Sequence, residues 1–382
     1  MEPTRTQDIE VPLAKGNRCL AWQSAHNWKP PGKIELASPS IAADRAYQAV
    51  SQGTALLWQG DYHQARQILA AIKRRLDKKS QSFESTELPD RFHRIRLQRS
   101  QAARQAGLLL IAVQSGYAID LARAPAAREA LEMAYGDRLR DKDFVMPLTE
   151  LAGVLSAYEW HCKGLPVKAL GHSIYPRWGV FAPTRHEYLD LVMQAELPQQ
   201  CKTAIDVGTG TGILAMLLAK RGIDRVVATD NNPAALACAT DNVMRAKLSE
   251  TIKVLHAELI PDGTFDLIVC NPPWLPGAAS GPLEAAVYDP QHRMLRGFLG
   301  QVASKLTPTG QAWLILSDLA EHLKLRSHAE LLAWIDQASL KVINRLDAKP
   351  AHRKLTDASD PLAKYRRAET TSLWQLQLSS SA

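Results

Sequence analysis

Between residues 41 and 161, apolar side chains recur at three- and four-residue spacing, as at Leu56, Leu57, Ile68, Leu69, Ile72 and Leu76. That spacing lines one side of a helix with apolar groups. Residues 91–113 continue the pattern, and 126–135 and 147–160 predict further helices. A helical N-terminal domain over 41–165 is therefore expected. Ahead of it, residues 1–40 carry Pro12, Pro30, Pro31, Gly32 and Pro39 with little periodicity, which predicts an extended arm. No self-similarity at a fixed period points to a solenoid.

After Gly164-Leu-Pro166 the texture changes, and a second domain is expected over 166–382. Residues 170–180 have strand character and 185–194 read as a helix. Short apolar runs then alternate with helical stretches. Strands are expected at 203–207, 225–229, 252–255, 265–270, 312–317, 341–345 and 372–378. Helices are expected at 212–221, 233–246, 292–305 and 321–337. Pro233 stands in the first turn of its helix, where its missing N–H costs nothing. Strands alternating with helices predict a mostly parallel sheet covered on both faces. Ligands of such sheets sit beyond the carboxyl ends of the strands.

The 382 residues are 46% apolar and 22% charged, a composition that fits a globular protein with a sizeable core. The polar start and the shortness of apolar runs such as 108–113 predict neither a signal peptide nor a membrane span. Five cysteines without a C-x-x-C pair read as reduced thiols of a cytoplasmic protein rather than a disulfide frame or zinc site. His161-Cys162 has no ligand spacing around it, so no metal is expected. The net charge of +7 is concentrated: Asp61 to Arg104 holds eleven Lys/Arg against five Asp/Glu, and a second basic stretch runs from Lys341 to Arg367. Such runs are either solvated helix faces or footprints for nucleic acid. With Phe83 and Phe92 the only phenylalanines and Tyr62 at its very start, the first run is sparse in aromatic residues, and stacking on single strands is not indicated.

Asp206-Val-Gly208-Thr-Gly210-Thr-Gly212 follows the strand at 203–207 and opens a helix. Bare backbone there lets a ligand approach a helix start where a side chain would block it. A dinucleotide fingerprint beginning at Gly208 requires Gly or Ala at 213, which is Ile213. An acid two residues ahead of the first glycine also sits poorly beside a pyrophosphate but suits a cationic amine. The balance favours S-adenosylmethionine over a nicotinamide dinucleotide. Asp230 ends the next strand, 24 positions on, where a carboxylate can accept from both ribose hydroxyls. The same stretch can cap the following helix through Asp230, Asn231 or Asn232; both roles fit if Asn232 caps and Asp230 binds. After the third strand, Glu258 is the available group for the adenine side.

Asn271-Pro272-Pro273-Trp274 follows the strand at 265–270. Consecutive prolines fix the backbone and leave carbonyls pointing outward as acceptors. A planar NH2 has its lone pair delocalised and is a poor nucleophile. Two acceptors on its hydrogens, Asn271 Oδ1 and the Pro272 carbonyl, would draw that nitrogen towards tetrahedral geometry, while Trp274 stacks on the plane. Orientation then supplies most of the acceleration without a strong base.

On these motifs the stretch 179–378 resembles the class I S-adenosylmethionine-dependent methyltransferases. Within them it is similar to the group with an Asn-Pro-Pro-aromatic signature, which includes adenine-N6 and HemK-like protein-glutamine N5 methyltransferases. The resemblance implies an α/β, Rossmann-like sheet of seven strands with the last antiparallel, beside the helical N-terminal domain. It implies cofactor binding by Asp206, Gly208, Gly210, Gly212, Asp230, Asn231, Glu258 and Asn271, and a catalytic clamp of Asn271, Pro272 and Trp274. Phe181, Pro273 and Trp274 would line the substrate side. Gly179-Val-Phe181-Ala-Pro183-Thr-Arg185-His-Glu187 and Val269-Cys-Asn-Pro-Pro-Trp-Leu-Pro276 lean towards the HemK-like branch. Tryptophan stands where that branch has tyrosine, and Thr184-Arg-His-Glu187 fits its Pro-Arg-x-Glu pattern only loosely.

The expected function is N-methylation of a planar NH2 nitrogen on a macromolecule, either a protein glutamine of the translation machinery or an adenine of rRNA or DNA. The substrate would be a protein or nucleic acid, in part ribosome-associated, met in the cytoplasm and away from membranes. A non-catalytic S-adenosylmethionine-binding scaffold is the rival from another class; the intact Asn-Pro-Pro-Trp turn argues against it.

Overall fold

The computed structural model describes residues 7–13, 16–78, 87–350 and 360–379. Phe83 of the first basic run and residues 351–359 of the second lie outside the described residues, as do residues 1–6 of the expected arm. The chain divides into two compact units, 1–159 and 160–382. Among the described residues no helix is long and apolar enough to cross a membrane.

The first unit is not the helical domain its periodicity suggested. It is built on a six-stranded mixed sheet of β1 (Gln7–Leu13), β2 (Gly16–Trp22), β3 (Ile34–Ala37), β4 (Ala55–Trp58), β5 (Leu109–Val113) and β6 (Phe144–Pro147), in the order β1-β2-β6-β5-β4-β3. Helices α1 (Ala43–Ser51), α2 (Tyr62–Lys78), α3 (Leu88–Ala106), α4 (Arg128–Tyr135) and α5 (Leu148–Lys163) connect or follow them, and the division between units falls within α5. The expected arm is also corrected: β1 and β2 form an antiparallel hairpin from Gln7↔Trp22 to Leu13↔Gly16. The reason for the first misreading is burial on two faces. β4 and β6 are buried at every position and β5 at all but one, so they lose the period-two signature and merge into neighbouring helical spacing. Leu56 and Leu57, expected on a helix, are strand residues. Residues 91–113 are a helix and a strand joined at Gly107, where the Trp28 ring lies so close that a Cβ would stand 2.3 Å from it.

The second unit opens with a two-stranded piece, β7 (Leu165–Val167) and β8 (His172–Ile174), then α6 (Glu187–Gln194). Its main sheet comprises β9 (Thr203–Val207), β10 (Arg225–Asp230), β11 (Ile252–His256), β12 (Phe265–Cys270), β13 (Leu306–Ser317), β14 (Leu340–Ala348) and β15 (Thr371–Leu378). The order is β11-β10-β9-β12-β13-β15-β14, with β15 antiparallel to both neighbours, the seven-stranded arrangement expected. Helices α7 (Ile213–Lys220), α8 (Pro233–Arg245), α9 (Arg293–Lys305), α10 (Leu319–His322), α11 (His328–Gln337) and α12 (Ala363–Ala368) complete it. The single helix expected at 321–337 is broken in two, because Ser327 starts α11 with a capping box through Glu330.

Successive sheet residues divide between two cores. Ala204, Leu267, Val269, Trp313 and Ile315 face one; Ile205, Val207, Ile268, Cys270, Leu314 and Leu316 face the other. That alternation is what a parallel sheet covered on both faces requires. α7, buried over 213–218, supplies much of the first cover.

Candidate cofactor and acceptor site

Register brings the two sequence motifs together. In the parallel pair β9–β12, Val207 stands opposite Cys270, and in β9–β10 it stands opposite Thr229. Gly208, Asp230 and Asn271 therefore leave the sheet side by side, on strands about 4.8 Å apart. This is also where strand order reverses, with β10 and β11 on one side of β9 and β12 and β13 on the other. A crevice at such a reversal is the usual ligand position of an open α/β sheet.

The three loop glycines do different work. Gly208 and Thr209 both donate their N–H to the Thr229 carbonyl, at 2.9 and 2.8 Å. A Cβ on Gly208 would come within 2.7 Å of the Met294 methyl, and one on Gly212 would press the Ala239 backbone and side chain of α8 at 3.3 Å. Gly210 has φ +56° and nothing within 4 Å of where a Cβ would stand. It is the open member of the loop. Its N–H donates to Asp230 Oδ2 at 3.0 Å.

Asp206 lies beneath this loop, fully buried. Its Oδ2 accepts from Thr209 Oγ1 at 2.5 Å and from the Ala215 N–H in the first turn of α7 at 3.1 Å. Its Oδ1 has no partner among the described residues. Burial pushes the carboxyl up to about 7; the Thr209 and Ala215 bonds work against that, and the charge of Asp230 reinforces it. Asp230 is raised as well, by burial, against N–H donation from Asn232 and Gly210. Asn232 caps α8 by accepting from the Ala234 N–H at 3.0 Å, while Asp230 Oδ1 accepts from the Asn232 N–H at 2.9 Å. Both readings of this stretch are thus compatible. Asn231 Nδ2 donates to Glu258 Oε2 at 3.2 Å, joining the residue expected on the adenine side to the neighbour of Asp230.

At the acceptor corner, Trp274 Nε1 donates to Asn271 Oδ1 at 2.9 Å. The expected acceptor oxygen is therefore already engaged once, and one of its two lone pairs remains. Pro272 is buried, and Pro273 is partly exposed. The segment beyond folds back through the Leu275–Tyr288 bridge to Asp289, whose carboxylate accepts from the Met294 and Leu295 N–H groups at 3.0 and 3.1 Å. Met294 then meets Gly208, so the loops leaving β9 and β12 are direct neighbours. Phe181 is 44% exposed, and its neighbour Val180 packs on Ala235 and Cys238, which ties this segment to α8 rather than to the Asn271 turn.

Two features went unread in the sequence. Asp289 accepts from the first turn of α9 although it stands four residues ahead of Arg293, outside the N-cap position held by His292, so ordinary capping spacing gave no signal for it. Arg185 lies with its guanidinium carbon 4.7 Å from the centre of the Trp274 ring. It pairs with Glu187 at 2.6 Å and Glu369 at 2.9 Å, and donates to Thr371 Oγ1 at 3.0 Å. Only the loose Arg-x-Glu pattern hinted at it. Among the described residues no group of three or more His, Cys, Asp or Glu could hold a metal ion.

Residues 172–336 match the family model described as "Methyltransferase small domain". The chain is 33% identical to the tRNA1(Val) (adenine(37)-N6)-methyltransferase of Pedobacter heparinus, over 29% of this chain and 50% of that protein. It is 36% identical to the release factor glutamine methyltransferase of Mycolicibacterium smegmatis, over 31% of this chain and 44% of that one. The chain thus spans about half the length of these curated relatives. A solved S-adenosylmethionine-dependent methyltransferase of Thiobacillus denitrificans, in complex with S-adenosyl-L-homocysteine, aligns over 52% of this chain and 92% of that chain at 14% identity, TM-score 0.35.

Proposed function

We propose that this chain, whose C-terminal unit is a class I S-adenosylmethionine-dependent methyltransferase domain, methylates a planar NH2 nitrogen on a macromolecule, and that the acceptor is a protein glutamine of the translation machinery. The observation that carries the reading is the side-by-side exit of Gly208, Asp230 and Asn271 from three adjacent strands.

When bound, S-adenosylmethionine supplies an electrophilic methyl group on a sulfonium. The residues present fit it. Asp206 Oδ1 is a buried acceptor without a partner among the described residues, suited to an ammonium, and the open side of Gly210 admits close approach to the loop backbone. Asp230 keeps lone pairs for ribose hydroxyls while its backbone bonds hold it in place. Asn231 and Glu258 close the adenine side. On the acceptor side, the remaining lone pair of Asn271 Oδ1 and the Pro272 carbonyl take one hydrogen each of the NH2 group. Trp274 and Pro273 supply flat walls.

A second reading, adenine-N6 methylation of RNA, draws support from the exposed cations of α2 and α3, among them Arg74, Lys78, Arg94 and Arg104, and from the relative named for tRNA adenine methylation. The test is incubation with labelled S-adenosylmethionine and cell extract, followed by separate nuclease and protease digestion. Label resistant to nuclease and released by protease is expected; the opposite outcome selects adenine. Asn271→Ala should lower transfer by about 10²–10³-fold, with cofactor affinity by titration calorimetry held within a few-fold. Binding of NADH in place of S-adenosylmethionine would end the reading.

A further inference from the structure

We propose that Trp274 and Arg185 act as a positioning pair that fixes which end of the Asn271 amide meets the acceptor nitrogen. This rests on the methyl-transfer reading above. A carboxamide side chain is nearly symmetric in shape, and a half-turn about its last bond exchanges an acceptor oxygen for a donor NH2. Nothing in Asn-Pro-Pro alone prevents that exchange, which would set two donors against the NH2 of the acceptor. The indole can only donate. With Trp274 Nε1 placed 2.9 Å from Asn271 Oδ1, the flipped amide would bring NH2 against N–H, and the oxygen-inward orientation is selected. One lone pair of Oδ1 is spent on this selection, and one is left for the acceptor.

The indole must itself be held, because it is partly exposed on a loop. Arg185 does this from one face, its guanidinium carbon 4.7 Å from the ring centre. The guanidinium is in turn tied at three points: Glu187, Glu369 and the Thr371 hydroxyl. Glu369 is completely buried just ahead of β15, and Ser317 at the end of β13 donates to the same oxygen, Oε1, at 2.6 Å. A chain of contacts therefore runs from two sheet strands through Glu369 and Arg185 to Trp274 and the Asn271 oxygen. A planar fork with charge and stacking together is a task lysine does not perform. Because Arg185 covers one indole face, a flat acceptor that stacks on the indole must take the opposite face, and the choice of tryptophan at this corner becomes part of acceptor selection. Arg185 touches no reacting atom; it is a positioning residue.

The test uses the full chain. Trp274→Phe keeps the ring and removes the donor; Trp274→Tyr keeps a ring with a donor; Arg185→Lys keeps the charge and removes the planar fork. The indole N–H resonance of Trp274, assigned in a nitrogen-15 correlation spectrum by its loss in Trp274→Phe, is expected to move in both Asn271→Ala and Arg185→Lys. With labelled S-adenosylmethionine and extract protein as acceptor, Trp274→Phe and Arg185→Lys should lower kcat by about ten- to a hundredfold. KM and calorimetric affinity for S-adenosylmethionine should stay within about twofold, and Trp274→Tyr should recover most of the loss. An indole resonance indifferent to both Asn271→Ala and Arg185→Lys overturns the pair, as does an active enzyme whose kcat ignores Trp274→Phe. A wild-type chain that transfers label to nothing, with the resonance moving as expected, overturns the methyl-transfer reading while the orienting contact stands.

Discussion

At the scale of single residues, Asp206 gains most from the structure. The motif singled it out as suited to a cationic amine; its carboxylate is folded under the loop, with Oδ2 committed to Thr209 and the first turn of α7 and Oδ1 without a partner among the described residues. An acid on the strand face that looks at a helix start finds backbone donors there, a pull that sequence spacing does not reveal. The consequence is testable through pH. Burial holds the carboxyl near 7, so the folded chain binds a proton that the unfolded chain has released above its ordinary carboxylate value near 4. The contribution of this group to stability therefore declines as pH rises from about 4 to 7, then levels. Affinity for an ammonium-bearing ligand runs the other way, since it needs the ionised form: it should rise by up to tenfold per unit, about 1.4 kcal/mol, as pH climbs towards 7 and flatten above. Calorimetry between pH 5.5 and 8.5 checks this, and Asp206→Asn should bind weakly with no such slope. Asn271, Asp230 and the glycines were legible because strand, turn and helix are consecutive in sequence. The Arg185–Glu369 pair was not, since its partners are 184 positions apart and meet only when β15 inserts into the sheet.

Among the elements, the two sheets differ in how plainly they announce themselves. In the second unit each of β9 to β12 ends in a Gly, Asp, Asn or loop signal; α7 separates β9 from β10, α8 separates β10 from β11, and a short loop separates β11 from β12. In the first unit β4 and β6 have four residues each and are buried throughout, so nothing in their pattern distinguishes them from a helix core. β13 shows a smaller version of the same difficulty. Pro308 and Gly310 mark a turn, yet the strand runs from Leu306 and absorbs them as an irregularity, its register jumping from Leu306 to Gln311 against β12. The start of α8 offers a contrast between two ways of damaging one element. Asn232→Ala removes a side-chain cap and should cost about 1 kcal/mol, a loss of about 2–4 °C in Tm for a domain of this size, with cofactor affinity within twofold. Gly212→Ala puts a Cβ at φ +81° and 3.3 Å from Ala239 in the middle of the same helix. Backbone strain adds about 1–2 kcal/mol there and α8 must give way, so both Tm and cofactor affinity should fall further than in Asn232→Ala. Thermal melts with and without S-adenosylmethionine separate the two cases, because only the glycine substitution should shrink the ligand-induced rise.

For the whole molecule, charge provides the test of the proposed acceptor. The +7 net charge is placed unevenly, with the α2–α3 helices of the first unit carrying exposed Arg74, Lys78, Arg94 and Arg104. Four cations that neutralise phosphates give a salt dependence of log affinity on log salt with a slope of roughly −3. Association with RNA through these helices should therefore weaken steeply between low and physiological salt, and weaken least in a variant with all four residues changed to Glu. If the acceptor is a protein glutamine, that variant should keep transfer to extract protein within about twofold while retention of RNA on a filter disappears. If the acceptor is an adenine, transfer and retention must fall together, with the same salt slope, because the charge contacts then contribute to acceptor binding itself. A protein acceptor recognised through neutral and mixed-charge contacts lacks a condensed counter-ion atmosphere to release, and its methylation should respond only weakly to salt. The slope of one salt titration thus separates the two acceptors, whichever position on the macromolecule receives the methyl group.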